Sequence, residues 1–311
     1  MSRPTVKDTL HPRNRFRAGY DFPQLVASSP GLARFVGPNP FGDTSIDFAN
    51  PDAVKALNQA LLRSAYGLAA WAVPAGYLCP PIPSRSDYLH HLKDLLDLDG
   101  AGAAGAAATV LDIGAGANAI YPLIGAREYG WRFVATEVDP VALRSAQQNV
   151  AAHAAVAGLI ECRLQTLPAE CFAGVVAPGE TFDLSMCNPP FHASAKEAAE
   201  GNRRKRRHLG TTARAGATLN FGGTGGELWC EGGAVAFTDR MIAQSAARPG
   251  LCRWFTTLVS KGEHLPGFYD RLEDVDVADV QTLEMAHGQK RSRILAWTFA
   301  RLSDRRGRGP S

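Results

Sequence analysis

Strand-like and helix-like segments alternate through the second half of the chain, and this alternation constrains the fold most. The apolar runs Thr109–Ile113 and Phe182–Cys187 have the length of buried strands, and segments of helical period lie between such runs. This pattern predicts an α/β fold: a mainly parallel sheet with helices on both faces. Two further strand-like runs, residues 275–284 and 293–299, are expected to close its C-terminal edge as a hairpin.

A glycine turn follows the first of these strands. Gly114 and Gly116 match a loose nucleotide-binding pattern, and Asp112 stands just before it. Taken alone the pattern is weak, because it recurs in dehydrogenases, methyltransferases and unrelated loops. We expect Asn118 and Tyr121 to line the pocket beside the turn, although core packing explains Tyr121 equally well.

The next predicted strand, residues 131–138, ends in acidic residues. A carboxylate about 20 positions after a glycine turn can bind ribose hydroxyls, and both Glu137 and Asp139 are candidates. We favour Glu137, because Asp139 and Pro140 are typical of the cap and first residue of a helix.

A short rigid motif, Asn188-Pro189-Pro190-Phe191, closes the second buried strand. The Asn side-chain carbonyl and the backbone carbonyl of the following proline can both accept hydrogen bonds from one planar NH2 group. The aromatic ring can then stack on the ring that carries the amine. Such a clamp points the nitrogen lone pair at a methyl donor, so positioning replaces a strong base. Paired with the glycine turn, the motif predicts a methyl-transfer site.

Composition excludes several classes of protein. The chain has 311 residues, 45% of them hydrophobic and 20% charged, which is enough for a sizeable core. The N-terminus lacks an apolar signal segment, and no stretch is long and apolar enough to span a membrane. Six scattered cysteines without a C-x-x-C pair indicate neither a disulfide framework nor a zinc site. We therefore expect a cytoplasmic protein without membrane or metal.

Basic residues are clustered although the net charge is only +3. Arg13 and Arg15 alternate with polar and aromatic residues near the N-terminus. An unbroken run follows the Asn-Pro-Pro-Phe motif by a dozen residues, where a polyanion would have to pass; its members are Arg203, Arg204, Lys205, Arg206 and Arg207. We interpret this run as a phosphate contact.

The chain is predicted to divide at the low-complexity stretch 100–108. Residues 1–100, with helices predicted at Pro51–Tyr66 and at 86–98, would form a separate N-terminal substrate module. Residues 101–311 would form the catalytic domain. Its long insertion, about 192–233, is interpreted as a lid that orders over the target base.

Several blocks of this sequence resemble the ribosomal RNA large subunit methyltransferase F family. The resemblance runs from about residue 9 to 300, and its blocks are far more specific than the glycine turn. They are residues 11–15, 45–51, 76–83, 118–125, 187–194 and 227–233. The chain departs from the family pattern at Ala119, where a cysteine is expected, and at Ala234, where an acidic residue is expected.

The resemblance implies a Rossmann-like class I methyltransferase sheet with an N-terminal RNA-binding extension. It also implies the transfer of methyl from S-adenosylmethionine to the exocyclic amine of one adenine in 23S rRNA, either free or in an assembly intermediate. In this sequence it assigns cofactor contacts to Gly114 and Glu137, and the cofactor carboxylate to Arg85. Residues 188–191 would hold the adenine, and the two N-terminal arginines would touch RNA.

Three other functions use some of the same features. A nicotinamide dehydrogenase would use the glycine turn, but only His192 is placed to act as its acid or base. A protein methyltransferase acting on a glutamine amide could use the same clamp, although the arginine clusters argue against it. A non-catalytic RNA-binding ribosome assembly factor could keep the fold, but the intact clamp argues against lost turnover.

Overall fold

The computed structural model describes residues 10–98, 107–190, 194, 229–287 and 290–301. Nine strands lie in these ranges. They are β1 (Val36–Pro38), β2 (Thr44–Ile46), β3 (Thr109–Ile113), β4 (Arg132–Glu137), β5 (Ile160–Leu164), β6 (Phe182–Cys187), β7 (Cys252–Val259), β8 (Asp279–His287) and β9 (Lys290–Thr298).

The main sheet has seven strands in the order β5-β4-β3-β6-β7-β9-β8. Parallel pairs join β5, β4, β3, β6 and β7, whereas β9 runs antiparallel to both β7 and β8. The predicted parallel sheet and its closing hairpin are thereby confirmed. Because β3 and β6 are neighbours, with Ile113 paired to Cys187, the glycine turn and the Asn-Pro-Pro motif leave adjacent strand ends.

Eight α-helices surround the sheet in the described ranges. They are α1 (Phe22–Ser28), α2 (Pro51–Tyr66), α3 (Ile82–Leu98), α4 (Ile120–Tyr129), α5 (Pro140–Ala151), α6 (Ala154–Ala157), α7 (Gly233–Ala246) and α8 (Leu265–Asp274). Helix α2 has the predicted bounds. Asn50 Oδ1 caps it by accepting from the backbone N–H groups of Asp52 and Ala53, and Gly67 ends it in the left-handed region.

Two predicted element boundaries were wrong, and one helix was missed. Helix α3 begins at Ile82 rather than at residue 86, and the strand predicted at 275–284 is β8, four residues later. Helix α8 was not predicted at all. Its second residue is Pro266, and Pro83 has the same position in α3. Proline is tolerated in a first helical turn, because the N–H groups there have no intrahelical partner.

The hydrophobic core does not divide at residue 100. One cluster of buried side chains joins Leu61 of α2 and Leu92 of α3 to Val110 and Leu184 of the sheet. A second cluster packs α7 and α8 against β7 and β9, with Trp297 fully buried. The helices of the first 100 residues therefore cover one face of the sheet rather than forming a separate core.

Among the described residues, no helix is long and apolar enough to cross a membrane. No group of three or more His, Cys, Asp or Glu side chains there could hold a metal ion.

Candidate active site

A cavity of about 570 Å³ opens at the carboxyl ends of β3, β4 and β6. Most of the predicted site residues that the structure describes line it. They are Arg85, Gly114, Gly116, Asn118, Glu137, Asn188 and Pro190. Asp112 and Pro189 are buried beside these residues rather than in the lining. Phe191 and the basic run 203–207 lie outside the described residues.

The glycine turn is held against β4 by its own backbone. The N–H groups of Gly114 and Ala115 both donate to the carbonyl of Thr136, at 3.0 and 2.9 Å. Gly114 has a φ of +78°, a backbone conformation that residues other than glycine rarely adopt. No atom lies within 4 Å of the position that a Cβ would take there. Glycine is thus needed for the turn itself, and the turn leaves open space above it.

Three backbone N–H groups hold the Glu137 carboxylate. Gly116 donates to Oε2 at 2.9 Å, while Val138 and Asp139 donate to Oε1 at 2.8 and 3.0 Å. Burial raises the pKa of Glu137, and these three hydrogen bonds act in the opposite direction. Since a carboxylate has about four acceptor positions, one position on Oε2 is left for a ligand in the cavity.

Asp139 has the capping role that the sequence indicated. Its Oδ1 accepts from the N–H of Val141 at 2.8 Å, at the start of α5. Its Oδ2 accepts from the hydroxyl of Tyr77 at 2.6 Å. Of the two candidate acids, Glu137 alone lines the cavity.

Asp112 is an uncompensated acid beneath the turn. The residue is 1% exposed, and neither carboxylate oxygen has a hydrogen-bond partner among the described residues. The pKa of Asp112 is raised to about 8, mainly by burial and also by the nearby Glu137, while Arg85 acts in the opposite direction. The Arg85 guanidinium carbon lies 5.5 Å from the centre of the Tyr121 ring. This end of the cavity therefore suits a ligand that carries both positive and negative charge.

The side-chain oxygen of Asn188 is a buried acceptor without a partner in the described structure. Orphaned buried acceptors are rare in proteins and mark places where a ligand or water can bind. Strand β6, which ends just before Asn188, is fixed by a buried network: the hydroxyls of Tyr88 and Thr256 lie 2.9 Å apart, and Thr256 donates to the Ser185 carbonyl at 2.8 Å. A rigid strand end thus presents an open acceptor to the cavity.

Asn118 shapes the cavity through its own hydrogen bonds. Its Oδ1 accepts from the N–H of Ile120 at 3.0 Å, and its Nδ2 donates to the Leu78 carbonyl at 3.4 Å. The Trp71 indole N–H donates to the Asn118 backbone carbonyl at 2.9 Å. Leu78, Pro80 and Arg85 also line the cavity, so the first 100 residues build part of its wall.

Sequence reasoning missed two parts of the lining. One is Trp229, Cys230 and Glu231 with Phe237 and Arg240 of α7. The block 227–233 carried part of the family resemblance, and that block was the available signal. The other is the loop that follows β5, for which the sequence offered no motif.

The loop after β5 is fixed from two sides. Gln165 accepts from the N–H of Leu167 at 2.8 Å and donates to the carbonyl of Glu170 at 3.0 Å. Gln244 of α7 accepts from the N–H of Cys171 at 2.8 Å and donates to the Ala169 carbonyl at 3.0 Å. Side-chain bonds to backbone thus hold this wall of the cavity in place.

Arg13 and Arg15 are not in the cavity lining. Their side chains contact helices α3 and α4, respectively. Arg13 forms an ion pair with Asp94 and donates to the His90 carbonyl at 2.9 Å. Arg15 Nε donates to Glu128 at 2.9 Å. Both side chains keep 41–50% of their surface exposed, so they anchor the N-terminal segment and still face solvent.

A family model described as RNA methyltransferase matches residues 4–301 of the chain. Ribosomal RNA large subunit methyltransferase F from Pectobacterium carotovorum subsp. carotovorum is 53% identical over 300 residues, which cover 96% of each protein. The protein of the same name from Cytophaga hutchinsonii is 49% identical over 298 residues, covering 95% of this chain and 92% of the relative.

Two solved structures share the fold. The hMettl16 catalytic domain in complex with MAT2A 3'UTR hairpin 1 has a TM-score of 0.79 and 32% identity, covering 94% of this chain and 96% of the other. The N-terminal domain of human METTL16 in complex with SAH has a TM-score of 0.75 and 28% identity, covering 94% and 99%. The seven-stranded sheet is thus that of a Rossmann-like methyltransferase.

Proposed function

This chain belongs to the ribosomal RNA large subunit methyltransferase F family and is an S-adenosylmethionine-dependent RNA methyltransferase; from that premise we propose that it methylates the exocyclic amine of one adenine in 23S rRNA. The observation that carries the proposal is the unpartnered Asn188 oxygen in the same cavity as the glycine turn. An amine held there lies between an acceptor and the cofactor site.

The residues around the turn fit the cofactor. When bound, S-adenosylmethionine supplies an electrophilic methyl group on a sulfonium. The free acceptor position on Glu137 suits a ribose hydroxyl, and Arg85 suits the carboxylate. The unpartnered Asp112 carboxylate suits the cationic part of the ligand. Gly114 and Gly116 keep side chains away from the space above the turn.

The clamp acts by positioning. The Asn188 side-chain oxygen and the Pro189 backbone carbonyl accept the two N–H groups of the adenine amine, which fixes its plane. The ring of Phe191 is assigned to stacking on the base by the sequence motif. Together they direct the nitrogen lone pair out of the ring plane, which prepares the amine for attack without a strong base.

The proposed partner is 23S rRNA or a large-subunit assembly intermediate, met in the cytoplasm. The relatives' name specifies large-subunit rRNA, and an RNA hairpin is bound in a structure of the shared fold. We assign phosphate contacts to the exposed parts of Arg13 and Arg15 and to the run 203–207. In this assignment residues 1–100 hold flanking RNA, and the target adenine leaves its stack at a cost of a few kcal/mol.

Labelling with tritiated S-adenosylmethionine tests the proposal. Deproteinised 23S rRNA, large ribosomal particles and a protein extract are incubated separately, and labelled nucleosides or amino acids are identified after digestion. We expect label in N6-methyladenosine from 23S rRNA, as free RNA or in particles. Label in glutamine side chains of the extract, or in no fraction, would overturn the proposed substrate.

A further inference from the structure

Helix α7 places a guanidinium, that of Arg240, in the cavity wall, and no ion pair within 4 Å joins it to a carboxylate of the described residues. Arg240 and Phe237 both line the cavity, and the Arg240 guanidinium carbon lies 5.7 Å from the centre of the Phe237 ring. Residues three apart share a helix face. Arg240 Nε is buried and has no hydrogen-bond partner among the described residues.

Arg85 is the other arginine of the described lining. It lies over the Tyr121 ring and is assigned above to the carboxylate of the cofactor. S-adenosylmethionine has only one carboxylate. A second guanidinium in the same cavity therefore matches an anion that the cofactor does not bring.

The two arginines belong to different walls of the cavity. Arg85 is on α3 and lies over Tyr121 of α4. Arg240 is on α7, whose Gln244 hydrogen-bonds to the backbone of Cys171 and Ala169 in the loop after β5. The Arg240 guanidinium is therefore in the wall formed by α7 and that loop, and not in the wall that carries Arg85.

We propose that Arg240, supported by Phe237, binds a backbone phosphate of the RNA beside the target adenine. The inference rests on the proposed function, in which that base enters this cavity. A nucleotide turned out of its stack brings its flanking phosphates to the mouth of the pocket, and holding one of them offsets the cost of unstacking. A guanidinium is suited to phosphate because its planar fork can donate two hydrogen bonds at once.

Three variants test the phosphate contact: Arg240→Gln, Arg240→Lys and, as a matched control, Arg248→Gln. Arg248 is exposed, lies just past the end of α7 and is not in the cavity lining. Kinetics are measured with deproteinised 23S rRNA, cofactor affinity by calorimetry without RNA, and binding to polyadenylate at several salt concentrations. Thermal unfolding of each variant is recorded alongside.

Arg240→Gln is expected to raise KM for rRNA about tenfold or more and to lower the salt slope of polyadenylate binding by about one. Cofactor affinity should stay within about twofold, Arg240→Lys should recover part of the loss, and Arg248→Gln should match wild type. An unchanged KM and slope would overturn the proposal, as would a loss of cofactor affinity equal to the rise in KM. If the wild-type protein were inactive on rRNA, the proposed substrate would be overturned instead. The salt dependence of polyadenylate binding by Arg240→Gln would still test whether Arg240 binds a phosphate.

Discussion

The two acids at the ends of β3 and β4 show how neighbouring carboxylates acquire different roles. Glu137 is 5% exposed and compensated by three backbone N–H groups, whereas Asp112, at 1% exposed, has no hydrogen-bond donor among the described residues. A compensated carboxylate can remain ionised and accept hydrogen bonds. An uncompensated one favours its neutral form until a cation arrives.

Replacing Glu137 with alanine is expected to weaken S-adenosylmethionine binding by about 1 to 3 kcal/mol, the cost of leaving hydrogen-bonding groups unpaired. The variant also leaves the backbone N–H groups of Gly116, Val138 and Asp139 without their acceptor, so thermal unfolding should shift to a lower temperature. Calorimetry on Glu137→Ala, with the exposed Glu273→Ala as control, measures both effects. Unchanged cofactor affinity in Glu137→Ala would remove the residue from the site.

Asp112 is expected to make the stability of the cofactor-free protein depend on pH. Its pKa is about 8 in the fold against 3.8 for an ordinary aspartate. The folded state therefore holds the proton more tightly between these values, and stability falls as pH rises through that window, by at most about 1.4 kcal/mol per pH unit.

Urea unfolding of wild type and Asp112→Asn at pH 5 and pH 8 isolates this effect. The variant should gain stability relative to wild type at pH 8, because it lacks the carboxyl that must ionise. An equal difference between the two proteins at both pH values would contradict the assignment. The cationic cofactor should bind wild type more tightly as pH approaches 8, since it favours the ionised carboxyl.

At the scale of elements, local sequence signals predicted some helix and strand boundaries correctly and others incorrectly. Strands β3 and β6 and helix α2 have their predicted bounds, because apolar runs and the Asn50 cap act over a few residues. Helices α3 and α8, which have proline as their second residue, were shortened or missed. Helix α7 starts at Gly233, and glycine or proline in a first helical turn looks like a break when only the sequence is read.

The candidate site was predictable where residues follow strand ends. Gly114, Glu137 and Asn188 each do so, and parallel pairing brings them to one edge of the sheet. Arg240 and the loop after β5 reach the cavity through tertiary packing of α7. No local sequence pattern predicts such a tertiary contact, so sequence reasoning missed both Arg240 and this loop.

The basic segment 203–207 is expected to act through phosphate contacts. Replacing Arg203, Arg204, Lys205, Arg206 and Arg207 with glutamine should lower RNA affinity and flatten its salt dependence, because fewer counterions are released. Cofactor affinity should not change. A binding titration of 23S rRNA at several salt concentrations provides the measurement, and a salt slope equal to that of wild type would assign the segment to a solvated surface.

For the whole molecule, the first 100 residues belong to the catalytic structure. Helices α2 and α3 share a core with the sheet, and Trp71 and Leu78 hydrogen-bond to Asn118 beside the glycine turn. A role in holding RNA is compatible with this packing, since the exposed parts of Arg13 and Arg15 lie on the same segment.

A fragment that starts at Ala101 is therefore expected to lose cooperative unfolding and cofactor binding, because it would expose the apolar face of the sheet that α3 covers. Calorimetry of the fragment beside the full chain measures both properties. Cooperative unfolding with wild-type cofactor affinity in the fragment would show that residues 1–100 serve RNA alone.

The central claim is that the cavity is a methyl-transfer site in which Asn188 receives the target amine. The most direct measurement is the single-turnover methylation rate of 23S rRNA by Asn188→Ala, with cofactor affinity determined on the same preparation. The rate should fall roughly a hundredfold or more, by analogy with the loss of one preorganised transition-state contact, while cofactor affinity stays within about twofold. Methylation at the wild-type rate would contradict the account, because the clamp would then be a structural turn and the chemistry would take place elsewhere.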